Sequence, residues 1–157
     1  LTRWRPSDLT PELTSAAIPP AGPDDHARGE GETLIVYADL ACPHCAAAWA
    51  EIRERPARVV FRHFPVASKH PRAPVLHAAA EAAGLQGRFF EMVDSLYADR
   101  GRVDDPHLWL RAEEMRLALE RFETDRRSEG VAARVRRDFE SGIRGGVTST
   151  PALYSPS

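Results

Sequence analysis

Two uninterrupted apolar runs stand in the first half of the chain, and apolar positions at helical spacing fill most of the second. Thr33-Leu34-Ile35-Val36-Tyr37-Ala38 is β-prone and lacks polar alternation, the pattern of a strand buried on both faces. Val59-Val60-Phe61-Arg62-His63-Phe64 predicts a second strand, stopped by Pro65. Between them, Ala46 to Arg55 is rich in helix formers, with Ala47, Ala48, Trp49 and Ile52 as its apolar side and Pro56 as its end. Pro43 suits the first turn of that helix, where its missing N–H is not needed. Strand, helix and strand with short links form a βαβ unit, so the two strands are expected to pair in parallel. Beyond it, 74–83 predicts an Ala-rich helix closed by Gly84, and 88–98 a second, with Phe89, Met92, Val93, Leu96 and Tyr97 on one face. Residues 106–119 predict a third, 120–127 a short turn and 128–141 a last helix, broken by Gly142, Gly145 and Gly146. The Met and aromatic positions of these helices are expected in the core. Residues 147–154 read as a final extended segment, and no internal repeat is present.

The start of the chain differs. Pro6, Pro11, Pro19, Pro20 and Pro23 interrupt residues 1–32, which predict an arm with at most one helical turn at Thr10-Pro11-Glu12. One domain is expected over 33–157, a size that supports a normal core. With 43% apolar and 28% charged residues, the composition is that of a soluble globular domain. A net charge of −2, with 20 Arg and the single Lys69 spread out without a basic block, gives no pull toward nucleic acid or membrane. No apolar run approaches the roughly 18 residues of a membrane span, and no secretory signal is visible. Leu1 is not an initiator Met, so a processed start is expected, which leaves room for a signal peptide or a membrane domain ahead of it.

Chemistry concentrates in Cys42-Pro43-His44-Cys45, which holds the only two cysteines. A disulfide across two residues constrains almost nothing, so the pair calls for a chemical role. Thiol–disulfide exchange needs a thiolate to attack and a second thiol to release the mixed disulfide. Cys42 falls at the strand-to-helix junction, where free backbone N–H groups and the helix dipole stabilise a thiolate. Cys45 lies one turn later, so Cys42 is expected as the exposed nucleophile and Cys45 as the buried resolver. His44 is expected to lower the Cys42 pKa through a positive charge. The same Cys-x-x-Cys is half of a zinc site, which His63, His70 or His77 would have to complete without ligand-pair spacing. Thr150-Pro151 reads from its residues as a loop proline.

With these motifs in order, the sequence resembles the DsbA-like thiol–disulfide oxidoreductases of the thioredoxin superfamily. Besides Cys-Pro-His-Cys, the resemblance rests on Phe61-Arg62-His63-Phe64-Pro65, His70-Pro71-Arg72-Ala73 and Ala78-Ala79-Ala80-Glu81-Ala82-Ala83. It continues in Gln86-Gly87-Arg88-Phe89-Phe90-Glu91-Met92, Arg121-Phe122-Glu123-Thr124-Asp125 and Gly146-Val147-Thr148-Ser149-Thr150-Pro151, covering roughly 26–154. The resemblance implies an α/β thioredoxin-like fold with a helical insertion over about 70–142, between the second strand and a cis-proline strand. It also implies that Thr150-Pro151 is cis, lies beside the cysteines and contacts a substrate peptide. The family's closing strand and helix would follow Ser157, so the chain is expected to lack them. A family carboxylate six residues before the first cysteine is replaced by Val36. This implies slower resolution or another group such as Asp39 acting through water; Asp39 also reads as a turn residue.

The leading function is therefore disulfide exchange with polypeptides, as an oxidant, with Cys42, Cys45, His44 and Pro43 catalytic and Thr150 and Pro151 binding substrate. The implied partners are polypeptide thiols or disulfides and a redox partner protein, with no cofactor, metal or nucleic acid and no direct membrane insertion by this chain. The alternative is a redox-sensing domain attached to a membrane protein; a zinc module comes third. An extracytoplasmic location suits the oxidant, and a cytoplasmic one a chain with no signal or membrane segment before Leu1.

Overall fold

The computed structural model describes residues 18–155. A four-stranded sheet in the order β1-β3-β2-β4 forms its centre. Its strands are β1 (His26–Arg28), β2 (Glu32–Ala38), β3 (Ala57–His63) and β4 (Ala152–Tyr154). The helices are α1 (Pro43–Ile52), α2 (Ala73–Gly84), α3 (Phe89–Ala98), α4 (Asp105–Glu114), α5 (Leu119–Arg126) and α6 (Glu129–Arg144). β2 and β3 run parallel with Leu34 opposite Val59 and Val36 opposite Phe61. β4 joins the other side of β2 antiparallel, with Val36 opposite Leu153.

Strand alternation sorts the side chains to two faces. Leu34, Val36, Val59, Phe61 and Leu153 enter the larger core with Trp49 and Ile52 of α1, Leu76 of α2 and Met92 and Leu96 of α3. Ile35, Tyr37, Val60, Ala152 and Tyr154 line the smaller core, against Phe139 of α6 and Ile18. Burial on both faces explains the uninterrupted apolar runs of β2 and β3. Helices α2 to α6 form the insertion between β3 and β4. No described helix is long and apolar enough to cross a membrane.

Several expectations shift. The Pro-rich arm over 1–32 lies partly outside the described residues, but His26–Arg28 pairs antiparallel with β3 as β1, so the domain begins before residue 33. Gly29 and Gly31, at φ +88° and +112°, turn the chain from β1 into β2; a Cβ at Gly29 would sit 2.4 Å from the Ala57 carbonyl oxygen. The helix expected over 106–119 stops at Glu114, because Arg116 adopts φ 60°, outside the helical region. Residues 120–127, expected as a short turn, form most of α5. Of the extended segment 147–154, only Ala152–Tyr154 is paired.

Arg62 fastens the segment before β1 to the sheet. It is 3% exposed, forms a two-pronged ion pair with Asp25, and donates to the Pro19 and Pro20 carbonyls and the Tyr37 hydroxyl. Arg62→Met would remove the guanidinium from Asp25, which keeps only the Gly22 N–H, and from the two carbonyls. Breaking a buried pair from one side typically destabilises by about 3–5 kcal/mol. A loss near that size in urea unfolding, with new proteolytic cleavage between residues 19 and 25, is the expected result.

Candidate functional site

Cys42 is the N-cap of α1, with extended backbone (φ −85°, ψ 125°), and Pro43 opens the helix. The first turn carries no acidic side chain, so nothing opposes the positive end of the helix dipole at Cys42. Both cysteines are free thiols. The Cys42 thiol is held down to about 5, first by the hydrogen bond from Cys45. Burial works against this, and the Cys45 N–H, the Thr150 hydroxyl and the His44 N–H add to it. Burial pushes the Cys45 thiol far up, and its hydrogen bond to Cys42 pushes the same way. One sulfur is thus poised as thiolate and the other keeps its proton, the division of labour that thiol–disulfide exchange requires.

The loop before Cys42 is pinned from below. Asp39, fully buried, accepts from Ala41 N at 2.9 Å and Val66 N at 3.0 Å, while its own N–H donates to Cys45 Sγ at 3.4 Å. The Tyr97 hydroxyl donates to the Asp39 carbonyl at 2.9 Å. Leu40 N–H donates to His77 Nε2 at 2.9 Å, and that same nitrogen lies 3.5 Å from Asp39 Oδ1. Burial pushes the His77 imidazole down to about 4, so it is neutral at physiological pH. With Nε2 accepting, its proton belongs on Nδ1, 2.7 Å from His63 Nδ1. His63 Nε2 then donates to Glu81 at 2.7 Å, and His26 meets the same carboxylate oxygen from β1. Burial alone would raise the Glu81 carboxyl; hydrogen bonds from His26 and His63 outweigh it and hold it well below the carboxylate range.

Across the site, the Thr150-Pro151 peptide bond is cis, and the Thr150 hydroxyl reaches Cys42. A strand, a capping cysteine, a second cysteine one turn on and a cis-proline now stand together. A family model described as thioredoxin, Thioredoxin_4, matches residues 23–155. The chain is a DsbA-like member of the thioredoxin family. Structures with this fold include a thioredoxin-like oxidoreductase from Silicibacter pomeroyi, at TM-score 0.73 and 24% identity, covering 84% of this chain and 80% of that one. Another is alpha-DsbA1 from Wolbachia pipientis, at TM-score 0.72 and 20% identity, covering 85% and 75%. Among whole proteins, the Na(+)/H(+) antiporter NhaA of Herminiimonas arsenicoxydans is 35% identical over 97% of this chain and 25% of its own length. NhaA 1 of Salinispora arenicola is 38% identical over 86% of this chain and 22% of its own. The chain thus spans about a quarter of the length of these relatives.

The site differs from the sequence reading in the burial of its nucleophile. Cys42 is 6% exposed rather than open, so it differs from Cys45, at 2%, by degree. His44 is exposed, and its backbone N–H is one of the donors that hold the Cys42 thiol down. Among the described residues, the one group of metal-ligating atoms that converges is His26, His63 and Glu81. It contains neither cysteine nor His70 nor His77, so the Cys-based zinc site is not assembled. Val36 is buried in the larger core. Asp39 is the buried carboxylate nearest in sequence to the pair, held below the usual range because the neighbouring His77 ring and the bonds from the Ala41 and Val66 N–H groups outweigh its burial.

Sequence reasoning missed His26, read Tyr97 only as a core position and His77 only as a candidate zinc ligand, and left Glu81 without a role. Only tertiary pairing links these residues, through hydrogen bonds, to the loop before Cys42. Thr150→Val tests the hydroxyl contact. A hydrogen bond to a charged group contributes about 1.5–3 kcal/mol. The midpoint of Cys42 alkylation against pH is therefore expected to rise by about one unit or more.

Proposed function

We propose that this domain is the redox-responsive part of a larger membrane protein of the Na+/H+ antiporter type. In this reading its cysteine pair exchanges disulfides with polypeptide thiols. The observation that carries it is the match to antiporters, at 35–38% identity over 86–97% of the chain, with the remaining three quarters of each relative lying elsewhere. Cys42 is the nucleophile and Cys45 the resolver. Pro43 opens the helix that exposes its N–H groups to Cys42. His44 contributes a backbone donor, and Thr150-Pro151 offers its backbone to a substrate strand. An apolar groove of about 820 Å³ beside the cis-proline loop, lined by Phe64, Val66, Val135, Phe139 and Val147, suits polypeptide side chains better than a small thiol.

The depressed Cys42 thiol favours a second reading, a free-standing exported oxidant. A stabilised thiolate stabilises the reduced form and makes the disulfide a stronger oxidant. Both readings include an extracytoplasmic position, because cytosolic disulfides are kept reduced. The deciding experiment reconstitutes the protein encoded by the full reading frame in vesicles. Sodium-driven pH change is measured with the pair reduced and oxidised. The antiporter reading expects a difference of about fivefold or more, the low end of allosteric coupling, that disappears in Cys42→Ser/Cys45→Ser. A frame without a multi-span apolar segment, or equal rates in both redox states, removes that reading. Oxidation of a reduced substrate protein then tests the exported oxidant.

A further inference from the structure

His26 of β1, His63 of β3 and Glu81 of α2 are distant in sequence, yet their ligand atoms lie within 4.8 Å of one another. Two imidazole nitrogens and a carboxylate oxygen brought this close supply the His2Glu donor set used by open zinc sites. Each ligand is already oriented. The His26 ring stacks on Phe89, with centroids 3.6 Å apart and planes 7° apart. The other nitrogen of His63 is held by His77 at 2.7 Å, the kind of outer partner that metal-bound imidazoles use. Glu81 and His63 are buried, whereas the His26 side chain is 23% exposed. A surface pocket of about 480 Å³ opens at His26, with Gly84, Arg88 and Phe89 in its wall, and provides entry and room for a water ligand. The nearby positive charges are paired, Arg28 with Asp94 and Arg88 with Glu91.

We propose that His26, His63 and Glu81 form a binding site for a divalent transition-metal ion, with Zn2+ the best fit, separate from the cysteine pair. Coordination needs bare Nε2 lone pairs. On His26 the ring proton moves to Nδ1. On His63 it also moves to Nδ1, which then donates to His77 Nδ1. The His77 proton passes to Nε2, facing Asp39 Oδ1 at 3.5 Å, and Leu40 N–H loses its acceptor. Metal binding thereby reaches the backbone two residues before Cys42 through a change of tautomer.

The test titrates Zn2+ into the Cys42→Ser/Cys45→Ser chain, which carries no thiolate, so its outcome is independent of the redox reading. Calorimetry is expected to give one ion per chain. Co2+ is expected to give visible d–d bands without a sulfur charge-transfer band. His26→Ala and Glu81→Gln in that background should each lower the affinity by more than about tenfold, the loss that removing even an outer partner can cause. His107→Ala, at a half-buried position in α4 outside the cluster, should leave it unchanged. His26 lies at a half-buried edge, so its variant decides the matter if Glu81→Gln does not fold, as judged by circular dichroism. The Leu40 amide resonance should move with zinc, and stay in place when His26 is Ala. No binding below about 1 mM, or binding indifferent to His26→Ala, makes the three residues a hydrogen-bonded cluster and overturns the proposal. A bound ion that leaves the Leu40 amide unmoved overturns the tautomer link.

Discussion

Cys42→Ser is expected to reduce disulfide exchange to the uncatalysed background. A serine hydroxyl is not ionised at neutral pH, and the helix N-terminus that stabilises a thiolate cannot make it a sulfur nucleophile. Cys45→Ser should behave differently. Cys42 still attacks a substrate disulfide, forming one S–S bond and releasing the other substrate sulfur as thiolate. No second thiol then displaces the substrate, so a one-to-one mixed disulfide should accumulate and be visible by mass. The structure explains why resolution waits for that stage. Burial and the hydrogen bond to the Cys42 sulfur both keep the Cys45 proton in place while Cys42 is an anion. Once Cys42 is bonded to substrate, its charge is gone and the second of those restraints is lifted, while burial remains. The two thiols therefore titrate as a coupled pair. Retention of more than a small fraction of exchange by Cys42→Ser, with no adduct in Cys45→Ser, would remove the exchange reading.

The parts of this molecule that follow local rules were readable from sequence. β2 and β3 announced themselves by continuous apolar runs, and Pro43 and Pro56 bracketed α1 within a few residues. Cys42 and Cys45 were legible because one turn of helix at a strand end has few other uses for two thiols. What failed was set by distant partners. β1 has only three residues, with no β-branched side chain among them, and exists because β3 offers it an edge. The early end of α4 depends on one residue, Arg116, at positive φ. Asp39 resembles an ordinary turn residue in sequence. Its importance comes from Val66, His77 and Tyr97, which come from the loop after β3, from α2 and from α3.

Alkylation of Cys42 is expected to reach half its plateau rate near pH 5 rather than near the ordinary thiol value of about 8.5. Folding lowers this pKa, and the sign of the stability effect follows. The thiolate stabilises the reduced fold fully above the unfolded value, near 9, and the contribution shrinks as pH falls until it is gone below about 5. The disulfide form has no such group. Thermal melts of reduced and oxidised protein should therefore diverge in favour of the reduced form as pH rises from 5 to 9. The same free energy raises the reduction potential, since whatever stabilises the dithiol makes the disulfide a stronger oxidant. Equilibration with glutathione at neutral pH should place the pair above the thioredoxin value of about −270 mV, toward the −120 mV or so of strong oxidants. An alkylation midpoint above pH 8 would mean that the donors around Cys42 do not hold a thiolate. A potential near −270 mV would mean that they hold it without favouring oxidation of partners, and the oxidant assignment would be dropped for a reducing one.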